Sequence, residues 1–175
     1  MSARTATLPP ARHPESPYTL AMVCLGNICR SPTAEVVLSA KLAGSGLTDR
    51  VRVISSGTGG WHAGDAMDER ASTTLTAAGY DASRHRARQF DAGWFDRADV
   101  ILAMDHSNLH AVNALAHDDE TGDRVLLFRE FDPQAGGDLE LPDPWFGGMD
   151  GFRVVLDIVE RTTDELVSQL HAYGR

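Results

Sequence analysis

The segment MVCLGNICRSP, residues 22–32, limits what this chain can become more than any other stretch. It sets Cys24, Arg30 and Ser31 in a C-x5-R-S spacing. An apolar run from Thr19 to Val23 leads in, and a helical pattern starting at Ser31 or Pro32 leads out. Five residues between the cysteine and the arginine are enough for a tight loop whose backbone N–H groups point inward. Such a nest binds a tetrahedral oxyanion, and the helix N-terminus behind it adds partial positive charge. The same field favours a thiolate over a thiol at the mouth of the loop, where Cys24 stands. Arg30 offers a planar fork to two oxygens of the anion. Gly26 and Asn27 both tolerate the left-handed backbone that a tight loop often needs. A nucleophile beneath an oxyanion cradle implies phosphoryl transfer through cysteine. Simple packing of a buried cysteine is the alternative, but the strand–loop–helix context argues for a phosphate loop. The nucleotide-binding pattern G-x-x-x-x-G-K-[ST] does not occur.

The 175 residues suit one domain with a real core, and 42% hydrophobic and 23% charged residues are ordinary for a soluble globular chain. A net charge of −9 argues against a nucleic-acid partner. It also means that a phosphate group must be drawn in by local charges. No apolar run approaches the roughly 18 residues of a membrane span. Residues 1–17, MSARTATLPPARHPESP, are rich in proline and have no apolar core, so they are expected to form a mobile tail that tolerates deletion. The only two cysteines, Cys24 and Cys29, both lie in the loop. That excludes a disulfide scaffold and a four-cysteine zinc site, and it suits a cytoplasmic chain without metal or other cofactor. Nothing calls for an obligate partner, so a monomer or weak homodimer is expected.

Downstream, strand and helix patterns alternate. A helix is predicted over Ser31–Leu42, ending near Gly44 and Gly46, and a short strand over Val51–Ser55. The glycine-rich SGTGGWHAGD follows, then a helix over Asp68–Ala78 closed by Gly79. ADVILAMD, residues 98–105, reads as a strand apolar on both faces, as in a covered parallel sheet. A helix over Asp105–Leu115, a strand over 124–128 and a loop from Arg129 to Gly148 come next. A last helix from about Asp150 to Ala172 places Phe152, Val155, Leu156, Val159, Thr163, Leu166 and Leu170 on one face. Alternating strands and helices imply a parallel sheet in an α/β layer, with ligands beyond the carboxyl ends of the strands.

Thiolate attack on a phosphate monoester expels an alkoxide or phenoxide, a poor leaving group unless it is protonated. A positioned acid contributes about 10² to 10⁴ in rate. Among 25 acidic residues, Asp143 stands out because LPDPWFGG sets it between two prolines, beside Trp145 and Phe146. Stiff backbone would hold the carboxyl, and apolar neighbours would favour its protonated form. An Asp-Pro turn explains the same residues equally well.

Together, VCLGNICRSPTAE and DPWFG make the chain similar to the low-molecular-weight protein tyrosine phosphatase family, over about residues 18–172. The resemblance implies a single three-layer α/β domain over residues 18–175. Its four-stranded parallel sheet would be flanked by helices in Rossmann-type βαβ units, as in phosphotyrosine phosphatase I-like folds. It further implies phosphotyrosine protein substrates, a phosphocysteine intermediate and no metal. By that likeness Cys24 is the nucleophile, Arg30 the phosphate clamp and Asp143 the general acid and base. Leu25, Gly26, Asn27, Ile28 and Cys29 would supply backbone N–H groups, and Ser31 would hydrogen-bond the thiolate. A polar brace under the loop would include Asn27 and Ser31, with Ser55 and His85 as counterparts. His85, among Arg84, Arg86 and Arg88, reads equally as a solvated residue. Asp105 reads as a support of the site or as a helix N-cap.

Where the family often has two adjacent tyrosines, this chain has Trp145 and Phe146, which removes phosphorylation there but keeps an aromatic wall. Trp61 would form the opposite wall, or else pin its loop to the body. An arsenate reductase on this scaffold needs further cysteines, which are missing. A protein arginine phosphatase tends to carry threonine where this chain has Ile28. A non-catalytic phosphate-binding or redox-sensing module is the remaining alternative. For the last, a reversible Cys24–Cys29 disulfide under peroxide is expected, with simple packing of Cys29 as its rival.

Overall fold

The computed structural model describes residues 4–173. Strand β1, Tyr18–Cys24, is buried along its whole length, with Leu20 and Met22 on one face and Ala21 and Val23 on the other. That two-sided burial is why its sequence reads as an unbroken apolar run instead of an alternating one. Helix α1 (Arg30–Gly44) carries the chain back to β2 (Val51–Gly57), which pairs parallel with β1. Helices α2 (Glu69–Ala77) and α3 (Trp94–Arg97) precede β3 (Val100–Ala103) on the other side of β1. Helices α4 (His106–Asn113) and α5 (Asp119–Asp123) lead to β4 (Val125–Leu127), a 3₁₀ turn spans Phe128–Phe131, and α6 runs over Met149–Tyr173. The strand order β2-β1-β3-β4 is parallel throughout.

Two cores flank the sheet. On one side α1, α2 and α6 enclose Leu20, Met22, Val37, Leu38, Leu75, Phe152, Val159 and Leu166. On the other, α3 and α4 enclose Ala21, Val23, Phe90, Trp94, Phe95, Ile101 and Val112. All seven apolar-face positions expected on α6 are buried. The register aligns Cys24 with Gly57, and Val23 with Ala103, so the carboxyl ends of the strands finish at one level. The order reverses between β1 and β3, and in such sheets the crevice lies there. Among the described residues no helix is long and apolar enough to cross a membrane.

The expected free tail is not free. Residues 1–3 lie outside the described residues, but 4–17 form a strap across the amino-terminal edge of the sheet. Leu8 is buried in the larger core, and its N–H donates to Gln169 Oε1 at 3.0 Å. The Tyr18 hydroxyl donates to the Pro9 carbonyl at 2.8 Å, and the Arg12 N–H to Asp99 Oδ1 at 2.7 Å. Tyr173 donates to the Leu8 carbonyl and stacks on Tyr18, with centroids 5.2 Å apart. The prolines, read as a sign of disorder, hold the strap extended with carbonyls free to accept these bonds.

Helices α3 and α5 and the 3₁₀ turn are four or five residues long, too short to show a helical period. Leu8→Ala is expected to lower the unfolding free energy by about 2–4 kcal/mol, measured by urea denaturation. A loss below about 0.5 kcal/mol would mean that the strap does not hold.

Candidate active site

The loop after β1 is shaped by bonds on its outer side. Thr58 N–H donates to the Cys24 carbonyl and Gly59 N–H to that of Leu25, both at 2.9 Å. His85 Nε2 donates to the Asn27 carbonyl at 2.7 Å, and Asp68 N–H to that of Ile28 at 2.9 Å. A trans peptide points its N–H opposite to its carbonyl. Carbonyls held outward therefore turn the N–H groups of Leu25, Gly26, Ile28 and Cys29 inward, toward the N-terminus of α1. Of the two residues that tolerate the left-handed backbone, Asn27 adopts it, at φ 57°. A Cβ on Gly57 would lie 2.7 Å from the Leu25 carbonyl oxygen, so β2 approaches the loop at a distance only glycine allows.

Beneath the loop lies a buried polar chain. Asn27 N–H reaches Cys24 Sγ at 3.3 Å, and Ser31 Oγ lies 3.0 Å from the same sulfur. The Asn27 amide donates to Ser31 Oγ (2.8 Å) and to Ser55 Oγ (2.9 Å), and its oxygen accepts from Arg88 N–H (2.9 Å). Ser31 Oγ already accepts from Asn27, and its own proton has two acceptors within reach, the sulfur at 3.0 Å and the Ser56 carbonyl at 3.3 Å, of which a thiolate is the nearer and stronger. Ser55 in turn donates to Glu35 Oε2 at 2.5 Å, and His85 Nδ1 lies 3.7 Å from that oxygen. His85 is therefore a buried brace, not a solvated residue among arginines. Glu35, which the sequence reading missed, ends this chain. Its only signal was a place one helical turn after Ser31.

Arg30 is almost fully buried, and its Nη1 is committed elsewhere, to Asp105 Oδ2 at 2.7 Å and the Leu141 carbonyl at 3.0 Å. Nη2 lies 3.6 Å from Asp143 Oδ2. Asp105 fills both roles considered for it, because its other oxygen caps α4 through Asn108 N–H at 2.8 Å. Cys24, Arg30 and Asp143 line one cavity of about 260 Å³, together with Leu25, Gly26, Ile28, Cys29, Trp61, His62, Trp145 and Phe146. Trp61 and Phe146 are 74% and 93% exposed, so both stand at the rim and neither pins a loop into the core. His62 is a wall residue that nothing in the sequence marked. Both cysteines are free thiols. Burial above all, then the charges of Asp68, Cys24 and Asp143, pushes the Cys29 thiol far above its ordinary value, so it stays protonated.

The segment carrying Asp143 is tied down by a buried cluster. Arg161 grips Asp132 with two bonds, at 2.8 and 2.9 Å, and Arg129 Nε reaches the same carboxylate at 3.1 Å. Arg129 Nη1 extends to the Glu140 carbonyl (2.8 Å), and Leu141 N–H bonds the Met104 carbonyl at the end of β3 (2.8 Å).

The chain matches the family described as low molecular weight phosphotyrosine protein phosphatase over residues 19–174. It is 44% identical over 152 residues to a low molecular weight protein-tyrosine-phosphatase of Streptomyces coelicolor, covering 86% of this chain and 92% of that one. Low molecular weight protein-tyrosine phosphatase A of Mycobacterium tuberculosis is 39% identical over 145 residues, 82% of this chain and 86% of its own. The crystal structure of an Entamoeba histolytica protein tyrosine phosphatase superposes with a TM-score of 0.83 at 30% identity, covering 90% of this chain and 99% of that one. The chain belongs to the low molecular weight phosphotyrosine protein phosphatase family.

Burial alone would push the Asp132 carboxyl up, but bonds from Arg161 and Gln134 N–H and the charge of Arg161 outweigh it and hold the carboxyl below its ordinary value. Its contribution to stability is therefore complete above the unfolded value, about pH 4, and is lost as pH falls through the lowered folded value. Asp132→Asn is expected to cost about 3 kcal/mol at neutral pH and to flatten the loss of stability below pH 4. Urea unfolding followed from pH 7 to pH 3 checks both.

Proposed function

We propose that the chain hydrolyses phosphotyrosine in proteins through a phosphocysteine intermediate. One observation carries this reading: Cys24, Arg30 and Asp143 converge on a single aromatic-walled cavity over a loop whose N–H groups face inward. The phosphate sits in the nest, and Arg30 Nη2 turns from Asp143 to the phosphate oxygens. The Cys24 thiolate, stabilised by the Asn27 N–H and the Ser31 hydroxyl, attacks phosphorus. The bond from phosphorus to the phenolic oxygen breaks, and Asp143 gives its proton to the departing oxygen. Asp143, now a carboxylate, takes a proton from water, which attacks phosphorus. The S–P bond breaks, releasing inorganic phosphate and restoring the thiolate, to which Ser31 again donates.

The substrate class follows from the walls. Trp145, Trp61 and Phe146 offer faces on which a phenyl ring stacks, and a serine phosphate is too short to span them. Ile28 lines the cavity, and its bulk favours tyrosine over arginine as the phosphorylated residue. A reducing compartment, the cytoplasm, suits a nucleophile that must stay a free thiolate.

Phosphate release from a phosphotyrosine peptide, in EDTA with reductant, is expected for the wild type and absent for Cys24→Ser, which still binds vanadate. Full turnover by that variant would refute the nucleophile. Asp143→Asn is expected to lower kcat/KM for phenyl phosphate about 10²-fold or more and to affect p-nitrophenyl phosphate far less. Equal losses would point to another acid.

A further inference from the structure

Arg70 does not line the cavity, yet it joins the two loops whose separation the proposed chemistry depends on. The connection starts at Asp68, whose N–H holds the Ile28 carbonyl of the phosphate loop at 2.9 Å. The Asp68 carboxylate caps α2 by accepting from Arg70 N–H at 2.8 Å. It also takes the Arg70 side chain, with Nε at 3.2 Å from one oxygen and Nη2 at 3.1 Å from the other. A two-point grip of this kind fixes the guanidinium plane. The remaining Nη1 donates to the Trp145 carbonyl at 3.1 Å, and the guanidinium lies over the Trp145 and Phe152 rings at 5.2 and 4.8 Å. The Trp145 N–H, on the other side of the residue, donates to Asp143 Oδ1 at 3.1 Å. Trp145 is thus held by Arg70 at its carbonyl and ring, and holds the acid through its N–H.

Other anchors of this loop are few. Among the described residues, apart from the Gly151 N–H to Gly148 carbonyl bond where α6 starts, Arg70 supplies the only hydrogen bond that reaches 142–148 from outside that segment. The Arg30–Asp143 pair at 3.6 Å is the other polar link, and it is given up once a phosphate claims Arg30. We propose that Arg70 is a positioning residue: it clamps the acid loop to the phosphate loop through Trp145 and so sets the reach of Asp143 toward the leaving oxygen. This rests on Asp143 being the general acid. A misplacement of about 1 Å in such a group can cost as much as about 10²-fold in rate.

The test is kcat/KM for phenyl phosphate and p-nitrophenyl phosphate with Arg70→Ala, Asp143→Asn and the double variant, alongside melting temperatures. Arg70→Ala is expected to lose about tenfold on phenyl phosphate and no more than about twofold on the activated ester, which scarcely needs an acid. In the Asp143→Asn background the same change is expected to add nothing, because the group it positions is gone. Arg70→Lys keeps the cation over the rings but cannot grip Asp68 and Trp145 together. It is expected to fall between, and it carries the same test if alanine lowers the melting temperature. Equal losses on both esters, or losses that multiply in the double variant, would overturn the clamp and leave Arg70 a purely structural residue. If Asp143→Asn itself showed no preference between the esters, the acid assignment would fail first, and the clamp with it.

Discussion

The outward hydrogen bonds of the phosphate loop are the constraint from which the rest of the site follows. Inward-facing N–H groups repel one another and would turn away in a free peptide. Four carbonyls, those of Cys24, Leu25, Asn27 and Ile28, are each claimed by a group outside the loop, from Thr58, Gly59, His85 and Asp68. Holding the acceptor side leaves the donor side no choice of direction. The glycine-rich segment after β2 thus serves as the outer wall of the nest, and Gly57 lets that wall come close enough to bond.

Electrostatics explains how a chain of charge −9 can favour a dianion at one point. The positive character is local: loop N–H groups, the start of α1 and Arg30. Asp105 holds Arg30 in place through one guanidinium nitrogen, leaving the other facing Asp143. Nearby carboxylates are kept occupied, Glu35 by Ser55 and His85, Asp132 by two arginines, and Asp68 by Arg70. Asp143 is the exception. It is half-exposed, and its ion pair is the longer of the two on Arg30, as suits the proposed general acid and base.

The molecule divides its labour along the strands. The strap of residues 4–17 and the end of α6 secure the amino-terminal edge of the sheet. The opposite edge carries the loops, where backbone is exposed and shape is set by specific polar ties. Proline acts differently at the two ends. In the strap it keeps carbonyls free for distant donors, and around Asp143 it stiffens a short exposed turn.

Much of the architecture was legible in the sequence because its signals are local. Strands covered on both faces are apolar throughout, and α6 repeats its buried positions every three or four residues over 25 residues. The spacing of Cys24, Arg30 and Ser31 marked the tight turn between β1 and α1, since a strand, five residues and a helix allow few other paths. The partners of that loop were a different matter. Glu35, Asp68 and Arg70 are three among many charged side chains that no local pattern sets apart, while Asp143 was marked by its flanking prolines and aromatics and Asp105 by its place between strand and helix. Parallel strands put the loops after β1, β2, β3 and β4 at one edge, and only the order β2-β1-β3-β4 decided which of them are neighbours. Arg30 and Asp143, 113 residues apart in the chain, come within 3.6 Å for that reason. Hydrogen bonds and charge pairs act over a few ångströms, so which groups they join is settled by tertiary packing and not by distance along the chain.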